Sequence, residues 1–322
     1  MRLLPVYFLG ILPAIAQSYP PAPGNAGSTA ISANSAVFTA WATGISVTRG
    51  PVNIADISYT AGGSNIATSG LPENALGVYN GYSVSLGDGG SAILTFDMPI
   101  TNGEGFDFAV FENGAPDYLE LAFVEASSDG VNFFRFPCHS QTQTDTQIDT
   151  FGTPRPQYLN NFAGKYSGEY GTPFDINDLP DTPLLDKSSI THIKVIDVVG
   201  SINTAYGTYD SYRNIVNDSF PTPFISSGFD LSGVGVIHQK ALDIDKIEKL
   251  LFSVYPNPVT DALIINSKNN YTTSLYSIEG QLVFTENCNG NHKMDLTTLP
   301  AGLYLLQVES GTKSKTIKIV KK

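Results

Sequence analysis

The sequence predicts an all-β protein, a large jelly-roll-like β-sandwich followed by a small immunoglobulin-like β-sandwich. Short apolar–polar alternations recur along the chain, as half-buried strands require. Gly- and Asn-rich turns separate them, and long amphipathic helical periodicity is missing. With 30 Gly, 20 Pro and 15% charged residues, the composition is that of a secreted β protein.

Taken in order, Met1-Arg2 is basic, Leu3 to Ile15 is apolar, and Ala14-Ile15-Ala16 has the small-x-small pattern of a cleavage site. Residues 1–16 therefore read as a secretory signal peptide, with the mature chain starting near Gln17. The apolar run contains Pro5 and Pro13 and is short for a bilayer span; no later stretch reaches that length, and no lipobox cysteine follows. Trp41 sits in the apolar stretch Ala36 to Ile45 and is expected in the core. Strands are expected at Ser91–Phe96, Phe106–Phe111, Glu120–Ser127, Asn132–Phe136, His192–Val198 and Val234–Ile237. Alternation places Asp107 on the face opposite Phe106 and Phe108, which reads as solvated. Residues 17–242 form the main domain, and 243–251, charged at Asp243, Asp245, Lys246, Glu248 and Lys249, form a linker able to make a helical turn or two.

Residues 252–322 carry a second series of strands. Val254 opens one, and Pro256-Asn-Pro258 forces a turn because each proline fixes φ and removes a donor. Glu279-Gly280 is a two-residue hairpin signal between Tyr276–Ile278 and Gln281–Phe284. Pro300-Ala-Gly302 turns again, and Ser314 to Val320 alternates Lys or Thr with Ile. The order of these motifs, from Tyr255-Pro-Asn-Pro258 to the Lys-rich end, resembles the type A C-terminal sorting domain of the type IX secretion system of Bacteroidetes. That resemblance implies export through the periplasm to the cell surface or the medium, with the type IX machinery as partner.

The main domain offers a second resemblance. Leu86-Gly-Asp-Gly-Gly90, Gly105-Phe-Asp-Phe-Ala-Val-Phe-Glu-Asn-Gly114, Val124 to Phe133, Ala163 to Asp175 and Ser227 to Val236 follow in order. This is similar to a family of bacterial cell-surface proteins related to galactose-binding-like or discoidin-like jelly rolls. The resemblance implies fold and location and brings no activity. Such folds often carry a structural Ca²⁺.

Charge is unevenly placed. Residues 1–239 carry 8 basic and 22 acidic side chains, whereas 240–322 is net +2. A domain this acidic repels nucleic acid and suits divalent cations or solubility. Asp107, Glu112, Asn113, Asp197 and Asp230 are the candidate Ca²⁺ ligands, because strand-end loops rich in carboxylates and amides can supply the six to eight oxygens the ion takes. Turn capping explains the same residues equally simply, as it does Asp88, Asp129 and Asp218.

Cys138 and Cys288 fall in different domains and are expected unpaired; His139, His192, His238 and His292 are scattered, with no zinc-type spacing. No G-x-S-x-G elbow occurs, and Glu120 and Glu125 face opposite sides of their strand, so they do not pair as glycosidase carboxylates. The reading is a non-catalytic binding protein. Tyr158, Tyr166 and Tyr170, interleaved with Asn160, Asn161 and Lys165, are the candidate ligand-binding residues, because aromatic faces beside amide donors suit sugars. Packing of a long loop is the plain alternative for these rings. Extracellular glycan is the favoured ligand; capture of a scarce nutrient such as a corrinoid for an outer-membrane transporter, polysaccharide hydrolysis and a structural or adhesive role stay open.

Overall fold

The computed structural model describes residues 18–115, 118–239, 252–267, 270–311 and 313–322; the expected signal peptide and the linker lie outside the described residues. The chain divides into two compact units that meet between Ala241 and Leu242.

Thirteen strands build the first unit: β1 (Ile31–Ser32), β2 (Ala40–Trp41), β3 (Gly44–Thr48), β4 (Val84–Ser85), β5 (Ser91–Ile100), β6 (Phe108–Glu112), β7 (Ala122–Ser127), β8 (Phe134–Arg135), β9 (His139–Ser140), β10 (Leu159–Asn160), β11 (Tyr170–Phe174), β12 (Ile190–Asp197) and β13 (Asp230–Val236). One sheet has the order β1-β11-β6-β13-β2, with β4 also on β13; the other has β3-β5-β12-β7-β8. Their strand pairings are antiparallel. Phe108 and Val110 of one sheet meet Leu94, Val124, Ile193 and Val195 of the other in a single core. The rings of Phe108 and Phe174 stack at 5.4 Å, and Phe136 closes on Phe174 edge-on at 5.1 Å.

β6 departs from a half-buried strand because all five of its residues are buried. Ala109 and Phe111 face a second apolar cluster with Phe38, Trp41 and Tyr79, so Trp41 does join a core, though a peripheral one. Asp107, just ahead of β6, is 0% exposed, which corrects its expected solvated face. Its carboxylate accepts from the Gly103 amide at 2.7 Å, the Ile176 amide at 2.7 Å and lies 2.9 Å from His238 Nδ1. Asp88 and Asp218 were expected to bond locally; Asp88 ties distant segments instead, and Asp218 does so besides accepting from the adjacent Ser219 amide. Asp88 accepts from the Ile54 amide and the Ser227 hydroxyl, and Asp218 accepts from the Leu121 amide. Asp129 does cap its own turn, accepting from the Val131 and Asn132 amides.

The second unit has β14 (Phe252–Tyr255), β15 (Ala262–Ser267), β16 (Asn270–Ser277), β17 (Leu282–Asn289), β18 (His292–Asp295), β19 (Gly302–Ser310) and β20 (Lys313–Lys321). They form sheets of order β14-β15-β18 and β17-β16-β19-β20. Leu263, Ile265, Leu275, Met294, Leu306, Val308 and Ile319 are its core. The expected β16–β17 hairpin turns at Glu279-Gly280, where Gly280 has φ +83°, a left-handed value that favours glycine.

Candidate functional site

The acidic residues of the first unit separate into two kinds. Asp107, Asp197 and Asp218 are buried and spend their oxygens on backbone amides. Asp197 holds the Gly89 amide at 2.8 Å and the Phe229 amide at 2.7 Å, stapling two loops at the end of β12. These carboxylates are structural acceptors, and none has a free face for a ligand.

Glu112 is the other kind. It is 0% exposed, and among the described residues its carboxylate has only the neighbouring Gly114 amide, poorly aligned, as a donor. It ends β6 opposite Leu231 of β13, so Asp230 lies one step along the ladder, and the Asn113 amide donates to the Asp230 carbonyl at 3.0 Å. The carboxylate packs against Gly114. A Cβ at Gly114 would stand 2.6 Å from Oε2, 3.0 Å from Oε1 and 2.5 Å from the Tyr118 carbonyl oxygen, so the absence of a side chain leaves an oxygen-lined cradle. Glu120, half-buried, completes the group.

The charges in this group raise one another. Burial first, then Asp230, pushes the Glu112 carboxyl well above the usual range. Glu120 is raised by burial, then by Asp230, Glu112, Asp218 and Asp197. Asp230 is pushed up to about 6 by burial, opposed by the hydroxyl it accepts from Ser85 and by the nearby Arg49. Among the described residues, no Lys, Arg or His forms an ion pair with Glu112, Glu120 or Asp230. A buried carboxylate with no partner is costly. It must be protonated or must hold a cation.

Of the five expected metal ligands, Glu112, Asn113 and Asp230 thus meet at one strand end. Asp107, at the other end of β6, and Asp197, on β12, do not join them. Glu120 was missed because its strand partner Glu125 was the only carboxylate weighed against it; Glu125 pairs with Arg135 at 2.8 Å.

The same loop borders a cavity of about 400 Å³ lined by Asn25, Leu119, Pro156, Lys165, Tyr166 and Tyr170 among others. The Ser167 hydroxyl donates to the Ala115 carbonyl at 2.9 Å and the Gly168 amide to the Glu112 carbonyl at 2.9 Å, which ties the cavity wall to the acidic group. Lys165 is 3% exposed, and its Nζ donates to the Leu159 carbonyl at 2.8 Å. Desolvation pulls it down to about 8. Tyr166 is 1% exposed, its hydroxyl 3.0 Å from Thr29 Oγ1, and so is largely a packing residue that shows an edge to the cavity. Tyr170 is half-buried on β11. Tyr158, 37% exposed, does not line the cavity.

Cys138 in the first unit and Cys288 in the second are free, as expected, and both are buried. Yet Glu286, Cys288 and His292 bring one ligand atom each to within 4.8 Å of one another. Their signal is a Glu-x-Cys-x₃-His spacing over the crossing from one sheet to the other, which a search for paired cysteines passes over.

Residues 253–322 match the family described as secretion system C-terminal sorting domain. This segment is therefore a type IX sorting domain, and the chain is secreted to the cell surface or the extracellular space. Among the described residues, no helix is long and apolar enough to cross a membrane. No curated protein matches the chain by sequence. Solved structures that resemble it include a β-glucuronidase from Ruminococcus gnavus in complex with C6-substituted uronic isofagomine, at 10% identity and TM-score 0.22 over 88% of this chain and 44% of that one. Another is a biofilm associated protein, BSP domain, at 13% identity and TM-score 0.18 over 76% of this chain and 50% of that one. The chain spans half or less of the length of these structures.

Proposed function

We propose that the first unit is a non-catalytic binding module for extracellular glycan, displayed or released through the sorting domain. One observation carries this. The cavity of about 400 Å³ combines the Tyr166 and Tyr170 rings with the Asn25 amide and the Lys165 ammonium. An apolar ring beside a few fixed donors is what a sugar, with its C–H face and its hydroxyls, needs. Lys165 uses one of its donors on the Leu159 carbonyl, and an ammonium has three. The test is a glycan array probed with the full chain, followed by incubation of each bound glycan with the protein. Binding without turnover supports the reading. Cleavage of a bound glycan would make the acidic group catalytic and overturn it.

Calcium belongs to the same reading as a structural ion. The residues fit it at Glu112, Asn113, Glu120 and Asp230, where the Glu112 carboxylate has no counter-charge among the described residues and the Tyr118 carbonyl turns toward the same cradle. Asp107 and Asp197 do not fit, since their oxygens are committed to amides. A hard cation bound there offsets the repulsion among the carboxylates. It also stabilises the native state by mass action. Thermal unfolding of the full chain in EDTA and in millimolar CaCl₂ at matched ionic strength reads this. A Ca²⁺-dependent rise that disappears in Glu112→Gln is expected, and an unmoved midpoint in the native chain removes the ion.

A further inference from the structure

We propose that the sorting domain carries a site for a borderline first-row cation of the zinc class, built by Glu286, Cys288 and His292. Glu286 and Cys288 lie two apart on β17 and so share a face of that strand. His292 opens β18 after a tight reversal at Gly290, whose φ is +69°. The three ligand atoms lie within 4.8 Å of one another, close enough for small side-chain adjustments to bring them onto one ion. His292 Nε2 stands 3.2 Å from Glu286 Oε2, is closed off from solvent and makes no hydrogen bond.

Two further observations point to a ligand at this place. Tyr271, paired directly with Cys288 across β16 and β17, aims its buried hydroxyl at the Cys288 thiol, a weak partner. A buried hydroxyl and a buried imidazole nitrogen thus flank one thiol, with only the thiol and the Glu286 carboxylate for partners. A cleft of about 420 Å³, lined by Tyr271, Asn287, Cys288 and Glu309 among others, opens beside the thiol and gives solvent access. Thiolate, imidazole and carboxylate together form the donor set that zinc takes in tetrahedral geometry. Three protein ligands leave one position for the Tyr271 hydroxyl or a water.

The position explains what the ion does. β17 belongs to the four-stranded sheet and β18 to the three-stranded sheet. A metal held by Cys288 and Glu286 on one and His292 on the other staples the two sheets where the chain crosses between them. Burial pushes the Cys288 thiol up, so the group is a thiol before the ion arrives. On binding, its proton passes to solvent as the S–metal bond forms, with no change of oxidation state.

The experiment is titration of the full chain with Co²⁺, whose bond to a thiolate gives a charge-transfer absorption band. One equivalent with that band is expected in the native chain and in Cys138→Ser. The band should vanish in Cys288→Ser, and affinity should fall at least tenfold in His292→Ala. Glu286→Gln, at an exposed position, guards against misfolding and should also weaken binding. No charge-transfer band in the native chain, or an unchanged band in Cys288→Ser, overturns the site.

Discussion

Replacing Lys165 by Met should stabilise the first unit at neutral pH and flatten its pH dependence. Lys165 is 3% exposed, among the described residues no carboxylate is ion-paired with it, and it ionises at about 8 instead of the ordinary 10.5. At about 1.36 kcal/mol per pK unit, keeping it charged at pH 7 costs the folded state about 3 kcal/mol. The sign follows from proton counting. Between the folded value near 8 and the unfolded value of 10.5, the unfolded chain holds the proton that the folded chain has released, so stability rises with pH in that window. Going from pH 7 to 9.5 should therefore add about 2 kcal/mol to the native chain from this group. Methionine keeps the volume without the charge and gives up the bond to the Leu159 carbonyl, worth about 1 kcal/mol. The net expectation at pH 7 is a variant about 2 kcal/mol more stable, by the difference of those two estimates. Urea denaturation followed by tryptophan fluorescence is the assay. The chain has a single Trp, Trp41, and it lies in the first unit, so the signal ignores the sorting domain. A variant with the same pH slope as the native chain, or one less stable at pH 7, refutes the reasoning. A residue that destabilises its own fold is retained for something else, which fits a place in a binding cavity.

Three other outcomes follow from the same geometry. Asp197→Ala strands the Gly89 and Phe229 amides in a buried site and should cost about 2–4 kcal/mol, read by the same fluorescence assay. Phe174→Ala removes the ring shared by Phe108 and Phe136 and should cost about 3–5 kcal/mol. A reporter fused ahead of residues 252–322 behind a signal peptide should reach the surface of a type IX-competent host, and retention in the periplasm would count against the sorting domain's sufficiency.

The tail was the most legible part of the sequence because its turns are written in Pro and Gly, whose backbone preferences act locally. Glu279-Gly280 and Pro256-Asn-Pro258 needed no knowledge of the rest of the fold. In the main unit β5, β6, β7, β8, β12 and β13 were placed to within four residues, while β1 to β4 and β9 to β11 were not singled out; β12 was legible because it alternates, only one of its faces being buried in the core. β6 misled because both its faces are covered, one by the opposite sheet and one by the cluster around Trp41 and Phe111. Alternation then carries no information about Asp107. Glu112 and Asp230 were flagged by strand-end chemistry, but their meeting with Glu120 depends on ladder register, which a single strand does not encode. Glu286, Cys288 and His292 were invisible until the turn between the two sheets folded the spacing into a cluster.

The central claim is that a glycan sits against Tyr170 in the cavity. Titration calorimetry of a glycan bound on the array, against the full chain and against Tyr170→Ala, tests it most directly. Binding by the native chain is expected, with a loss of roughly tenfold or more in the variant, the equivalent of about 1.4 kcal/mol of ring contact. Equal affinity in the two proteins would place the sugar elsewhere, and a native chain that binds no sugar would contradict the function itself.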